Sequence, residues 1–326
     1  MTQYGYTLMT EQSGPRELVS YAQDAERIGF DFLVSSDHFS PWLTEQGHAP
    51  YAWTVLGAVA QATSRVELMT FVTCPTVRYH PAVVAQKAAT LGVLSEGRFT
   101  LGVGSGESLN EHVVGVGWPG VQTRQEMLAE AIEIIRELHT GELVDHKGTY
   151  FDVESARIWD LPDEPVQIGV AVAGTRGIGA LAPLADHLIA VEPSADLVEE
   201  WNGTEGAPRV GDRARAIGQV PICWAPTEEE AVALAHEQFR WFGGGWGVNA
   251  DLPTPAGFDA ASQFVRPEDV AGSIPCGPDL DKLAEAVLAY PRAGFTDVAM
   301  LQVGDRHQEQ FLDEVAGPLL ERVRAA

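Results

Sequence analysis

The chain has 326 residues, 45% of them hydrophobic, enough for one large α/β barrel or for two ordinary domains. Its 46 acidic against 21 basic residues leave a formal charge of −25, which speaks against a nucleic-acid partner because a phosphate backbone needs a basic footprint. No apolar run approaches the length of a membrane span, and the N-terminal segment lacks the basic start and apolar stretch of an export signal; a soluble, cytoplasmic protein with no membrane partner is expected.

In chain order, an apolar run at 4–9 precedes residues 15–28, where Leu18, Val19, Ala22, Ala25 and Ile28 fall at helical intervals. The same strand-then-helix rhythm returns with 32–35 before 51–62, and with 66–73 before 81–94, where Pro81 suits a first helical turn. Residues 99–103 read as a fourth strand whose helix is displaced to about 124–138 by the excursion GSGESLNEHVVGVGWPG. After a second excursion with room for a short hairpin come a strand at 166–172, a short helix at 177–185 and a strand at 187–191. The seventh strand is expected at 220–224. A helix at 227–242 follows, with Thr227 and Glu230 spaced as a capping box. The Gly- and aromatic-rich FGGGWGVNADLPTPAGFDA shows neither period and reads as a loop over one end of the fold. A helix at 280–290, an eighth strand at 297–301 and a closing helix at 311–323 complete the pattern.

Eight short strands interleaved with helices, and no polar tract long enough to divide the chain, favour a single (β/α)8 TIM-barrel domain over residues 1–326, with insertions in its C-terminal-face loops; a two-domain α/β protein gives a similar alternation. A barrel places its site at the C-terminal ends of the strands. The unusual residues cluster there: Glu11 after the first strand, Asp37, His38 and Trp42 after the second, 73–78 after the third, 105–110 after the fourth and VAGTRG after the fifth.

His38 is suited to general-base work because imidazole titrates near neutrality. Its neighbour Asp37 faces the other way on an extended segment, so a partner such as Glu11, from another strand end, is the alternative. A solvated turn is the plain reading of the same dipeptide. Glu107 sits in a glycine-rich turn where an acid can project beside a flat ligand, or else begins a helix that Ser108 and Glu111 cap. AVAGTRG offers backbone N–H groups and Arg176 for an anion, or serves as a simple turn. The GxGxxG dinucleotide order is absent. The cysteines, Cys74, Cys223 and Cys276, lie far apart and form no CxxC pair, and no H-E-x-x-H motif occurs, so neither a disulfide framework nor a metal site is expected.

Taken together, SSDHFSPW, FVTCPTVRYHPAVVAQKAATLGVLSEGRFTLGVGSGESLNE and VAVAGTRG resemble the luciferase-like flavin and deazaflavin superfamily, most closely its branch of coenzyme F420-dependent glucose-6-phosphate dehydrogenases. The similarity runs over nearly the whole chain. It implies a homodimeric (β/α)8 barrel that holds a deazaflavin in its mouth, the phosphate-bearing tail directed towards the later strands. His38 would take the substrate's hydroxyl proton while hydride leaves for C5 of the ring, Glu11 would orient His38, Glu107 would be the acid near N1, and Trp42 would position the substrate. Asp37 would sit against the cofactor, and Phe71-Val72 matches the place of a non-prolyl cis peptide behind the ring. Cys74, Asn110, Ala173, Gly174, Thr175 and Arg176 match cofactor contacts, with Cys74 standing where a threonine is familiar.

The family's sugar-phosphate enzymes carry lysines after strand six and before strand eight. This chain has VEPSAD and VAGSIPCG there, so Glu192, Gly272 and Ser273 fall at the substrate positions, and a neutral sugar or another secondary alcohol becomes the expected small-molecule substrate. An FMN-dependent monooxygenase, a reductase using reduced F420 and, last, a non-enzymatic binding protein are the alternatives.

Overall fold

The computed structural model describes residues 2–326, with the side chain of Arg176 outside the description. Eight parallel strands close into a barrel: β1 (Gln3–Leu8), β2 (Phe32–Ser35), β3 (Glu67–Thr70), β4 (Phe99–Val103), β7 (Gln167–Ala171), β8 (His187–Ala190), β9 (Ala216–Ile222) and β10 (Asp297–Gln302). Between β4 and β7 lies a separate antiparallel hairpin of β5 (Val144–Lys147) and β6 (Asp152–Ala156). β1 pairs with both β2 and β10, so the barrel has no open edge.

Local chemistry explains the clearest helices. Pro15 and Pro81 open Pro15–Ile28 and Pro81–Leu94 at the first turn, where a missing N–H costs nothing, and Gly29 ends the first helix in the left-handed region. The strands are buried nearly end to end because one face meets helices and the other fills the barrel. Phe32, Val34, Met69, Ile189, Ile217 and Ala299 pack the interior. Gly102 is obligatory there: an added Cβ would lie 1.9 Å from the carbonyl oxygen of Thr70. At the lower end Arg215 bonds Asp297 and Glu67 beneath Phe32.

Some elements differ from the sequence expectation. β9 begins at Ala216, four residues early, because Gly218 and Gln219 hide its apolar alternation; a Cβ on Gly218 would strike Tyr290. β3 stops at Thr70, and Thr73 rejoins Val103 as an isolated bridge. A helix at Ala195–Gly203, absent from the sequence reading, buries only Leu197, Val198 and Trp201. The stretch expected as a loop, 242–260, holds a short helix at Trp246–Asn249 and most of another at Pro255–Ser262, and a third follows beyond it at Pro267–Ala271. Together they cap the barrel mouth through a second apolar cluster that includes Trp42, Leu109, Phe239, Trp241 and Phe258.

Candidate active site

The loops after β1, β2 and β4 bring Glu11, His38 and Glu107 together. Glu11 is buried, 1% exposed, and its Oε2 accepts from Thr10 and Ser36 while Oε1 lies 3.1 Å from Nδ1 of His38. The same Nδ1 is 3.2 Å from the carbonyl oxygen of Ser40. Two acceptors facing one ring nitrogen favour the tautomer with the proton on Nδ1, in which Nε2 is the acceptor. Nε2 stands 3.6 Å from Glu107 Oε1.

Glu107 occupies the N-cap position of Ser108–Glu111 without capping it. Its Oε1 accepts instead from the side-chain amide of Asn110, whose Oδ1 accepts from the backbone N–H of Phe39 and Ser40 at 2.7 and 3.1 Å. Asn110 thereby ties the His38 loop to Glu107. Trp42 tilts against His38 with centroids 4.9 Å apart, stacks on Trp241 at 4.0 Å and meets Phe258 edge-on. These aromatics cover one side of the histidine, whose side chain is 11% exposed.

Asp37 faces away from His38. Its Oδ2 accepts from Trp53 Nε1 and Thr73 Oγ1, and its Oδ1 from Arg78 and Tyr79, so both oxygens are engaged within the protein. Arg78 also approaches Glu111, which accepts from the Arg78 backbone N–H at 2.7 Å. Burial pushes the Glu111 carboxyl up to about 7 against the pull of Arg78. Glu111 is therefore a brace for Arg78 rather than half of a capping box, a role that sequence spacing alone does not signal. Behind Tyr79 lies Lys87, also missed in the sequence: its Nζ is buried without an acceptor, 3.3 Å from the Tyr79 ring centre and 5.0 and 5.5 Å from Tyr51 and Trp53.

A flat, apolar floor lies beside this group. The Phe71-Val72 peptide is cis, and both residues pack with Ala171 on the interior cluster. A Cβ on Gly104 would lie 2.6 Å from Val72, and one on Gly106, with φ +74°, 2.5 Å from Cys74 Sγ, so only glycine lets this strip lie so close to the floor. Cys74 is buried with Sγ 2.9 Å from Thr76 Oγ1, and burial raises its thiol pKa, leaving it an uncharged packing group. At the end of β7, Ala173, Gly174 and Thr175 are exposed, and nothing lies within 4 Å of a Cβ placed on Gly174; the backbone is open to a ligand there. The Arg176 side chain lies outside the described residues.

Glu192 is exposed beyond β8. Gly272 closes Pro267–Ala271, and Ser273 turns back to Asp269 and lines an apolar groove with Phe239, Phe242 and Phe264. None of the three bonds to the His38 group among the described residues. No cluster of three or more His, Cys, Asp or Glu suited to a metal is found among the described residues, and no helix there is long and apolar enough to cross a membrane.

A closed parallel barrel with a histidine–carboxylate pair and an apolar, glycine-edged floor at its C-terminal mouth defines an enzyme of the flavin-binding barrel class. The chain belongs to the luciferase-like monooxygenase family, whose model matches residues 1–297, and within it to the branch similar to F420-dependent glucose-6-phosphate dehydrogenases. It is 48% identical to a protein of that name from Kribbella flavida, covering 98% of each chain, and 46% identical to one from Intrasporangium calvum, covering 99% of each. Among solved structures, it is similar to an F420-dependent secondary alcohol dehydrogenase in complex with an F420-acetone adduct, with 27% identity, a TM-score of 0.90 and 99% of each chain covered.

Proposed function

We propose that this protein is an F420-dependent oxidoreductase that oxidises a non-phosphorylated sugar or another secondary alcohol. The observation that carries the reading is the position of His38, whose Nδ1 lies 3.1 Å from Glu11 and 3.2 Å from the Ser40 carbonyl oxygen, an arrangement that favours the proton on Nδ1 and leaves Nε2 to accept. The residues fit the cofactor: the floor of Phe71, Val72 and Ala171 suits a flat ring, the glycine strip admits its edge, and the open backbone at 173–175 suits a phosphate. When bound, F420 supplies the hydride acceptor at ring C5.

The protein's part is proton handling and positioning. His38 Nε2 takes the substrate's hydroxyl proton as the carbinol C–H bond breaks. The imidazolium that results is stabilised by the Glu11 carboxylate 3.1 Å from Nδ1, a contact that strengthens as charge develops and so favours the transition state over the ground state. Glu107, held by Asn110, is the acid beside the ring, and Trp42 with Trp241 keeps water from the reacting carbon.

Charge pairing supports a neutral substrate. Arg266 is engaged by Glu268 and Asp269, Arg292 by Glu285, Arg306 by Glu237 and Lys282 by Glu228, so a phosphate dianion at any of these four would compete with a carboxylate already there. The family resemblance supports a cytoplasmic homodimer. Titration of the purified protein with F420 and with FMN under identical conditions tests the cofactor: tight F420 binding is expected, and tight FMN binding with little F420 binding would overturn the reading. F420 reduction with paired free and phosphorylated sugars and simple secondary alcohols then tests the substrate class.

A further inference from the structure

Cys223 and Cys276 stand far apart in sequence and side by side in the fold. Cys223 directly follows β9, and Cys276 lies just before the helix Leu280–Arg292. Between them runs the whole segment that roofs the barrel mouth, from the helix Glu228–Phe239 through Trp241 and Phe258 to Pro267–Ala271. The two cysteines form a parallel bridge: the Cys223 N–H donates to the Pro275 carbonyl oxygen at 2.9 Å, and the Gly277 N–H to the Cys223 carbonyl oxygen at 3.0 Å. Partners across such a bridge sit about 4.8 Å apart and send their side chains to the same face, within the roughly 4.4–6.8 Å that a disulfide spans between Cα atoms.

We propose that Cys223 and Cys276 are a redox pair, two thiols that hydrogen peroxide oxidises to a disulfide across the base of the roof. Both thiols are free and buried, at 0% and 1% exposure. Cys223 Sγ donates to the carbonyl oxygens of Ala231 at 3.2 Å and Val303 at 3.6 Å, and Cys276 Sγ to that of Ile274 at 3.2 Å, weak bonds that oxidation gives up. The thiols are unequal. A hydrogen bond between them lowers the pKa of Cys276 and raises that of Cys223, and Lys282, whose ammonium lies 2.9 Å from the Cys276 carbonyl oxygen, adds to the lowering. Cys276 is therefore the attacking sulfur.

Its thiolate takes one oxygen of the peroxide; the O–O bond breaks, hydroxide leaves and picks up a proton, and a sulfenic acid forms. Cys223 then attacks that sulfur. The S–S bond forms, the S–O bond breaks, and the Cys223 proton leaves with the oxygen as water. Two electrons pass from the two thiols to the peroxide, which becomes two waters. Burial selects the oxidant, because a molecule the size of peroxide reaches Cys276 through a local opening beside Lys282 that is too small for a bulky disulfide. The new bond joins the two ends of the roof segment, leaves the hydrogen bonds of His38 as they are, and closes a loop of roughly 50 residues, which restricts the unfolded chain.

Two neighbouring cysteines that served only as small apolar packing groups would stay reduced while the protein is folded. Folded protein is treated at mildly alkaline pH with a peroxide dose that fully oxidises free cysteine in solution, quenched, alkylated under denaturing conditions and weighed. Wild type is expected to lose about 2 Da before alkylation, to keep one alkylatable thiol of its three cysteines, and to yield a peptide cross-linked between Cys223 and Cys276 that dithiothreitol separates. The oxidised form should melt about 3–6 °C above the reduced form, as a loop of this length in a chain of this size predicts. In Cys223→Ser the resolving thiol is gone, so Cys276 should gain oxygen instead of losing mass; in Cys276→Ser, Cys223 should stay reduced. If the serine variants fail to fold, the wild-type peptide map decides alone. Three alkylatable thiols after peroxide, a cross-link through Cys74, or a sulfinic acid at Cys276 without a cross-link would overturn the proposal.

Discussion

Replacing Lys87 with methionine tests whether the cage behind Asp37 favours a cation or merely tolerates one. Burial lowers the Lys87 ammonium from the usual lysine value of 10.5 to about 8, a difference of about 3 kcal/mol at 1.36 kcal/mol per pH unit. The half-buried stem lets solvent screen part of this, leaving about 1–2 kcal/mol. Attraction to the three rings opposes it with about 0.5–1 kcal/mol. Desolvation is the larger effect, so Lys87→Met should be more stable than wild type at pH 7 by about 1 kcal/mol, or about 2 °C in Tm for a chain of this size. The sign with pH follows from linkage. A lysine whose folded pKa is depressed binds fewer protons folded than unfolded between about 8 and 10.5, so wild type gains stability across that window and the advantage of the variant shrinks. Thermal melts of both proteins at pH 7 and pH 9.5 at equal ionic strength measure it. A variant less stable at pH 7, by an amount that does not change at pH 9.5, would refute the reasoning and make the rings a net cation site.

Glu11→Gln keeps the hydrogen bond to His38 and removes the charge that meets the imidazolium; kcat for the alcohol should fall about 10- to 100-fold with the F420 Kd unchanged, and an unaltered kcat would remove Glu11 from proton transfer. Gly102→Ala drives a Cβ to 1.9 Å from the Thr70 backbone carbonyl oxygen, which cannot swing aside, and should abolish soluble folded protein. The same change at Gly57, in Ala52–Ala62 with nothing within 4 Å, should raise stability by up to about 1 kcal/mol. Loss of soluble folded protein for Gly102→Ala beside a raised Tm for Gly57→Ala is the check.

The order of elements was legible because the strongest signals are local: Pro at a helix's first turn, Gly after its last, and short runs of apolar residues. The helix at Ala195–Gly203 was not, since three buried residues in nine give no clear period. The strand-end placement of His38 and Glu107 followed from the rhythm, and the opposite facing of Asp37 from the two-residue repeat of extended chain. The partners of the buried polar groups did not follow. Lys87, Glu111 and Trp241 come from two separate helical segments and the insertion, and what each side chain meets depends on packing between segments distant in sequence. Ser108 and Glu111 even mimic a capping box while the carboxylate serves Arg78.

The stacked pair of Trp42 and Trp241 separates two kinds of variation. The residues that bond His38 come from the first third of the chain, Glu11 through Asn110, whereas the roof over it is built by residues 239–276 and meets the proton-handling group through Trp241 and Phe258 on Trp42 and through the Ala250 carbonyl oxygen, which accepts from the Ser108 backbone N–H. A change in the roof can therefore alter which alcohol fits without touching the hydrogen bonds of His38, as long as the rings on Trp42 and the Ala250 contact are kept. Reaction and substrate range can in this way be inherited separately within one chain.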